Sequence, residues 1–153
     1  MRLVAVAVVF AVFAASACSQ WTDSVDSRSA TAGLPTTLED LEAHRWALDE
    51  SDSSIEVAAE ATRPTMTFDA DTVQGSAGCN LFRGEFTLDG DEEIDIEELT
   101  TTRRQCPAPA MRTESEFLNA LESVTKVDHD DHDELVLRTK STRLSFNASD
   151  PDD

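Results

Sequence analysis

The sequence predicts a mainly antiparallel β domain with one packed helix, an α+β fold in which a small barrel-like sheet and a single helix form one domain. Two observations predict it. Short apolar alternations separated by turn residues recur between residues 45 and 147, and only residues 110–124 carry a long run of apolar side chains at three- and four-residue spacing. Many short strands with one helix imply a curved or closed sheet whose opening or face the helix covers.

Thr36 followed by Glu39 fits a capping box that opens a short helix through Leu38, Leu41 and His44. The strands begin with RWAL at 45–48 and TMTF at 65–68, the second entered through Pro64, and continue with FTL at 86–88 and IDI at 94–96. Asp89-Gly90 joins the last two, because this dipeptide supplies the left-handed backbone that a tight hairpin needs. LVLRT at 135–139 and RLSFN at 143–147, separated by KST, form a second hairpin. In the helix at 110–124, Met111, Phe117, Leu118, Leu121 and Val124 make the apolar face, while Glu114, Glu116 and Glu122 look outward. Pro107 and Pro109 stand just before it, where a missing N–H does least harm. Residues 49–63, rich in alanine and acid, read as a loop.

Residues 1–17 read as a leader. Met1 and Arg2 precede an apolar run over residues 3–15, which is short for a membrane span, and small residues follow. The stretch ASAC at 15–18 resembles a bacterial lipobox, which makes Cys18 the candidate lipid anchor, and several acyl chains hold a protein on a membrane far more firmly than one. Ser19 after the cysteine favours the outer membrane, with the domain facing the periplasm. Residues 18–35, rich in Ser, Thr, Asp and Ala, bury too little apolar area to offset chain entropy and read as a flexible tether, in which Trp21 is interfacial or incidental. Residues 36–147 make one domain and residues 148–153 an acidic tail.

The chain carries 31 acidic against 12 basic side chains, a net charge of −19, and its only lysines are Lys126 and Lys140. Such a surface releases no counterions from phosphates, which excludes nucleic acid as a partner. It suits saline surroundings, where the Debye length falls to roughly 8 Å or less and distant charges cease to repel.

With Cys18 lipidated, Cys79 and Cys106 remain as an even pair in an oxidising compartment. Three readings stand: a structural disulfide, which leads, two buried thiols, or a reactive cysteine. The last lacks a Cys-x-x-Cys motif and a basic cluster at Cys79, although Arg103 and Arg104 lie near Cys106. A serine hydrolase is not indicated, since GSAG at 75–78 is not Gly-x-Ser-x-Gly, His44 sits near the first helix, and His129 and His132 lie in an acidic turn. That turn, DHDDHDE at 128–134, offers Asp128, Asp130 and His132 as weak metal candidates. It lacks the glycine and distal glutamate of a calcium loop, so a solvated tip is the favoured reading, and no cofactor is implied.

Trp46 with Leu48, MTF (66–68), VQGSAGCNLFRGEF (73–86), IDIEELTTTRRQC (94–106), ESEFLNAL (114–121) and ELVLRTKSTRLSF (134–146) follow in order a known pattern. It resembles the META domain, the HslJ-like family of bacterial envelope proteins. The fold-signature positions are Trp46, Gly75, Gly78, Cys79, Asn80, Gly84, Thr102, Cys106 and Phe117, and Arg104-Gln105 replaces the Met-Ala more usual before the second cysteine. The resemblance implies a small barrel-like fold with one helix, in secreted or lipid-anchored proteins linked to envelope or heat stress and antibiotic tolerance, without catalysis. Gly75 and Gly78 are expected to allow a bend between strands, with Asn80 bonding its backbone and Cys79 facing Cys106.

Two function classes follow. One is a monomeric, non-enzymatic, lipid-anchored protein acting through contacts with an unidentified envelope protein. The other is a barrel-type binder of a small apolar ligand, or an acidic inhibitor of a cationic hydrolase such as lysozyme.

Overall fold

A computed structural model describes residues 36–149 except residues 91 and 130–132. The leader, Cys18, Trp21, the tether, Asp130, His132 and residues 150–153 of the tail lie outside the described residues.

Eight strands run β1 (Arg45–Asp49), β2 (Thr65–Asp69), β3 (Thr72–Ser76), β4 (Leu81–Asp89), β5 (Glu93–Thr101), β6 (Lys126–His129), β7 (Glu134–Arg138) and β8 (Arg143–Ser149). They form a mostly antiparallel, ring-like sheet in chain order, which closes where β1 pairs with β8 from Arg45↔Ser149 to Asp49↔Ser145. Two seams are thin: β1 meets β2 at Trp46↔Met66 and Ala47↔Thr65, and β5 meets β6 at Glu93↔Lys126, reinforced by Val127 N–H donating to the Glu92 carbonyl at 2.9 Å. The helix α2 (Ala108–Ser123) lies between those last two strands in the chain.

The interior is filled by side chains. Trp46, Leu48, Met66, Phe82, Phe86, Ile96, Leu137 and Phe146 from the strands meet Phe117 and Leu121 from α2 in one buried cluster. The Phe117 ring sits edge-on to Phe82 at 5.7 Å and to Phe146 at 6.4 Å, so α2 presses its apolar stripe into the ring. A ring of eight strands is just wide enough for side chains to fill.

The two hairpins form as expected. Asp89 pairs with Glu93 around Gly90, and Arg138 pairs with Arg143 around a turn closed by Thr139 N–H on the Thr142 carbonyl at 2.8 Å. Residues 49–63 form an irregular loop containing one 3-10 turn, Glu50–Asp52. Ser53 and Ser54 then fasten this loop to β8 through Ser145 N–H and Arg143 N–H, at 3.0 and 2.8 Å.

Four details differ from the sequence reading. The capping box lies one residue later, on Thr37 and Asp40, and opens α1 (Leu38–Glu42), which leaves His44 outside the helix. Thr37 holds the Asp40 carboxyl below its ordinary 3.8, so this contact stabilises the folded chain above the aspartate range and is lost as pH falls through the lowered value. Strands β3 and β6 were not expected, because Gln74 and Gly75 break the apolar alternation in one and the other has Val127 as its single aliphatic residue. Their neighbours supply the order instead, β3 pairing along its length with both β2 and β4. Helix α2 starts at Ala108, so Pro109 lies inside its first turn, where the absent N–H would have had no partner. Finally, Glu114 points inward, 7 % exposed, whereas Met111 is 37 % exposed.

Gly75 in β3 is required by contact. A Cβ there would lie 1.9 Å from the Thr65 carbonyl oxygen, a backbone atom of the paired strand, whereas Gly90 has φ +66 and nothing within 4 Å. Gly75→Ala is therefore expected to cost at least about 3 kcal/mol, by forcing two backbones apart. Gly90→Ala is expected to cost about 1–2 kcal/mol, from its left-handed backbone alone. Urea midpoints of the two variants check this, and equal losses would contradict the close approach.

Candidate functional site

Three chain segments that are distant in sequence meet at Asn80, in the corner between β3 and β4. Its N–H donates to Glu114 Oε2 at 2.7 Å, and its Nδ2 donates to the same oxygen at 3.0 Å and to the Arg104 carbonyl at 3.2 Å. Its Oδ1 accepts from Arg104 N–H at 2.6 Å and from the Thr102 hydroxyl at 3.0 Å. Thr102 Oγ1 in turn accepts from Leu81 N–H at 3.1 Å. Both ends of the Asn80 side chain are thus bonded while it is 3 % exposed, as a buried amide requires.

Cys79 and Cys106 are joined by a disulfide, their Cα atoms 6.1 Å apart. This bond ties the same corner to the chain entering α2, and the Arg104 guanidinium adds a hydrogen bond to the Cys79 carbonyl at 2.9 Å. Gly78 has φ +104, and its carbonyl accepts from Thr62 N–H at 2.8 Å and from the Thr62 hydroxyl at 3.0 Å. The corner is therefore bonded to loop 49–63 as well, where Ala58 N–H donates to Thr113 Oγ1 of α2 at 3.0 Å. Chemically the arrangement is closed: the cysteines are oxidised, and Thr102 and Glu114 both bond Asn80.

The other singled-out residues fall elsewhere. Gly84 lies at the bulge between Arg83 and Glu85 in β4. Trp46 is fully buried, its Nε1 donating to the Leu41 carbonyl at 2.9 Å, with His44 and His129 edge-on at 5.4 and 5.7 Å. Asp128 belongs to β6 and not to a turn, and it accepts from Arg138 Nε at 2.5 Å. That hydrogen bond and the carboxylate charge hold the Arg138 guanidinium above its ordinary pKa. Among the described residues no group of three or more His, Cys, Asp or Glu side chains is placed to hold a metal ion.

Beside the corner, on the outer face of β1 to β5, lies an open groove of about 650 Å³. Its polar lining includes Arg45, Thr65, Thr67, Gln74, Arg83 and Thr100. A second depression, lined by Thr62, Arg103 and Arg104 among others, shares Ser76, Leu81 and Thr102 with the first. Sequence reading missed this surface because its members come from five strands and share no local pattern. It missed Glu114 by assigning charge to the helix exterior. The available signal was position: Glu114 falls on the stripe of Ala110, Phe117 and Leu121.

The META domain family matches residues 39–151. The fold is shared with a solution structure of a protein from Burkholderia xenovorans, 21 % identical with TM-score 0.62, covering 76 % of this chain and 89 % of that one. A second solution structure is 26 % identical with TM-score 0.57, covering 75 % and 97 % of the two chains. A DUF4847 family protein from Bacteroides vulgatus ATCC 8482 is 18 % identical with TM-score 0.51, covering 74 % and 100 %. Among curated proteins none matches.

Because Cys79 and Cys106 are 27 residues apart, their cross-link should contribute about 3–4 kcal/mol by restricting the unfolded chain. Replacing both with serine is expected to lower the unfolding free energy by that order, and denaturing the intact protein without reductant should release neither thiol of this pair. Two titratable thiols, or an unchanged urea midpoint in the double variant, would remove the bond from the account.

Proposed function

The chain belongs to the META domain family, and we propose that it is a non-enzymatic protein of a bacterial cell envelope, anchored by lipid on Cys18 and acting through contact with another envelope protein. The observation that carries this reading is the Cys79–Cys106 bond. Such cross-links persist in oxidising compartments and are rare in the reducing cytosol, so they suit a chain whose leader and ASAC motif direct it outward. Ser19 after the anchor directs the product to the outer membrane where the cell has two, with the domain facing the periplasm.

The polar groups gathered at the corner support a non-catalytic role, because Thr102 and Glu114 are both bonded to Asn80 and the cysteines are oxidised. A nucleophile or general base has to be free to reach a substrate. The finer assignment, to envelope or heat stress and antibiotic tolerance, rests on the family resemblance. The filled ring interior weighs against a carrier of small apolar ligands.

Metabolic labelling with a tagged palmitate tests the anchor. The wild-type chain should take the label and sediment with membranes, while Cys18→Ala should lose both the label and the membrane fraction. A labelled Cys18→Ala chain, or an unlabelled wild type recovered from the cytosol with reduced cysteines, overturns the reading.

A further inference from the structure

The groove and the depression beside it differ in charge from the rest of the molecule. Together they present Arg45, Arg83, Arg103 and Arg104 and no carboxylate, in a chain with 31 acidic side chains among 153 residues. Two other depressions on the described surface contain acid, Asp89, Glu93 and Asp95 in one and Glu116 in the other. We propose that this face is a binding site for a carboxylate-bearing glycan, an uronate-type sugar chain laid across β2, β3 and β4.

Charge complementarity supplies the anion. Arg83 uses one guanidinium N–H on Thr72 Oγ1 at 3.2 Å, and neither Arg83 nor Arg103 makes an ion pair among the described residues. A guanidinium offers five donors in a planar fork that fits a carboxylate bidentately. Around these forks the lining is neutral and hydrogen-bonding. Thr67 donates its hydroxyl to the Gln74 carbonyl at 3.4 Å and Thr100 donates to the Arg83 carbonyl at 3.1 Å, so both oxygens keep acceptor capacity. The Gln74 amide makes no hydrogen bond among the described residues, leaving donors and an acceptor for a ligand.

Hydroxyl and amide groups around arginine suit a polyhydroxylated acid better than a protein surface. Protein hot spots combine arginine with buried aromatic and Met anchors, whereas this face supplies the arginines without an exposed aromatic, and its one large exposed apolar side chain is Leu81. Short-range hydrogen bonds also keep their strength in salt that screens distant charges. The site goes beyond the protein-contact reading and stands whether or not Cys18 carries lipid.

Calorimetric titration of the full-length protein with tetragalacturonate, maltotetraose and hexaglutamate tests the proposal. Tetragalacturonate should bind saturably and maltotetraose at least roughly tenfold more weakly, since a charge-assisted fork contributes about that factor. Arg83→Gln and Arg103→Gln, neither of which touches the core, should each weaken tetragalacturonate by roughly tenfold while leaving the melting temperature within error. The site is overturned by a lack of saturable heat with tetragalacturonate. It is equally overturned if maltotetraose binds as tightly, if hexaglutamate binds more tightly than the glycan, or if both arginine variants bind like the wild type.

Discussion

A carboxylate buried without a cation has to be met by hydrogen-bond donors, and Glu114 is met by Asn80. The 7 % exposed Glu114 receives the Asn80 N–H and Nδ2 together, and Asn80 itself is 3 % exposed. Hydrogen bonds to a charged acceptor are worth about twice neutral ones, and breaking one leaves a desolvated charge behind. The orientation of α2 depends on this contact, and with it the insertion of Phe117 between Phe82 and Phe146. Through Oδ1, Asn80 also fixes Thr102 and Arg104, which set where the chain leaves β5 and approaches Cys106. The disulfide then restrains two ends that hydrogen bonding has already brought together.

Much of the fold was legible in the residues, and what was not has physical reasons. The hairpins at Asp89-Gly90 and after Arg138 follow from turn chemistry, and most of α2 follows from its period. Strand β6 has a single aliphatic residue and β3 is interrupted by Gly75, so both owe their order to pairing partners far away in sequence. The capping box slipped by one because Thr36 and Thr37 are adjacent, and Asp40 can return the hydrogen bond that Glu39 was expected to make. Glu114 was misplaced for a deeper reason: hydropathy describes a side chain, whereas burial of a charge depends on a partner the pattern does not display. The Asn80 side chain was expected to bond the backbone of its bend, and it bonds Glu114 of α2 and the segment 102–104 instead.

The corner and the groove divide the molecule's polar groups by role. At the corner, amide, hydroxyl and carboxylate are buried and mutually bonded, which suits a fold determinant. On the outer face of β3 to β5, Gln74, Arg83 and Thr100 are exposed. Gly78, Cys79, Asn80, Thr102 and Cys106 meet at the corner, where their bonds fix the architecture.

A double-mutant cycle on Asn80→Ala and Glu114→Ala tests most directly the claim that one buried pair organises this end of the molecule. Asn80→Ala takes the Nδ2 donor from Glu114, which keeps the backbone N–H, and Glu114→Ala takes an acceptor from Nδ2, which keeps the Arg104 carbonyl. Because both variants lose the same side-chain contact, the double variant should be more stable than the sum of the single losses predicts, with a coupling of about 1–2 kcal/mol. Losses that add to within about 0.5 kcal/mol would mean that the two side chains do not depend on each other, and would contradict the account.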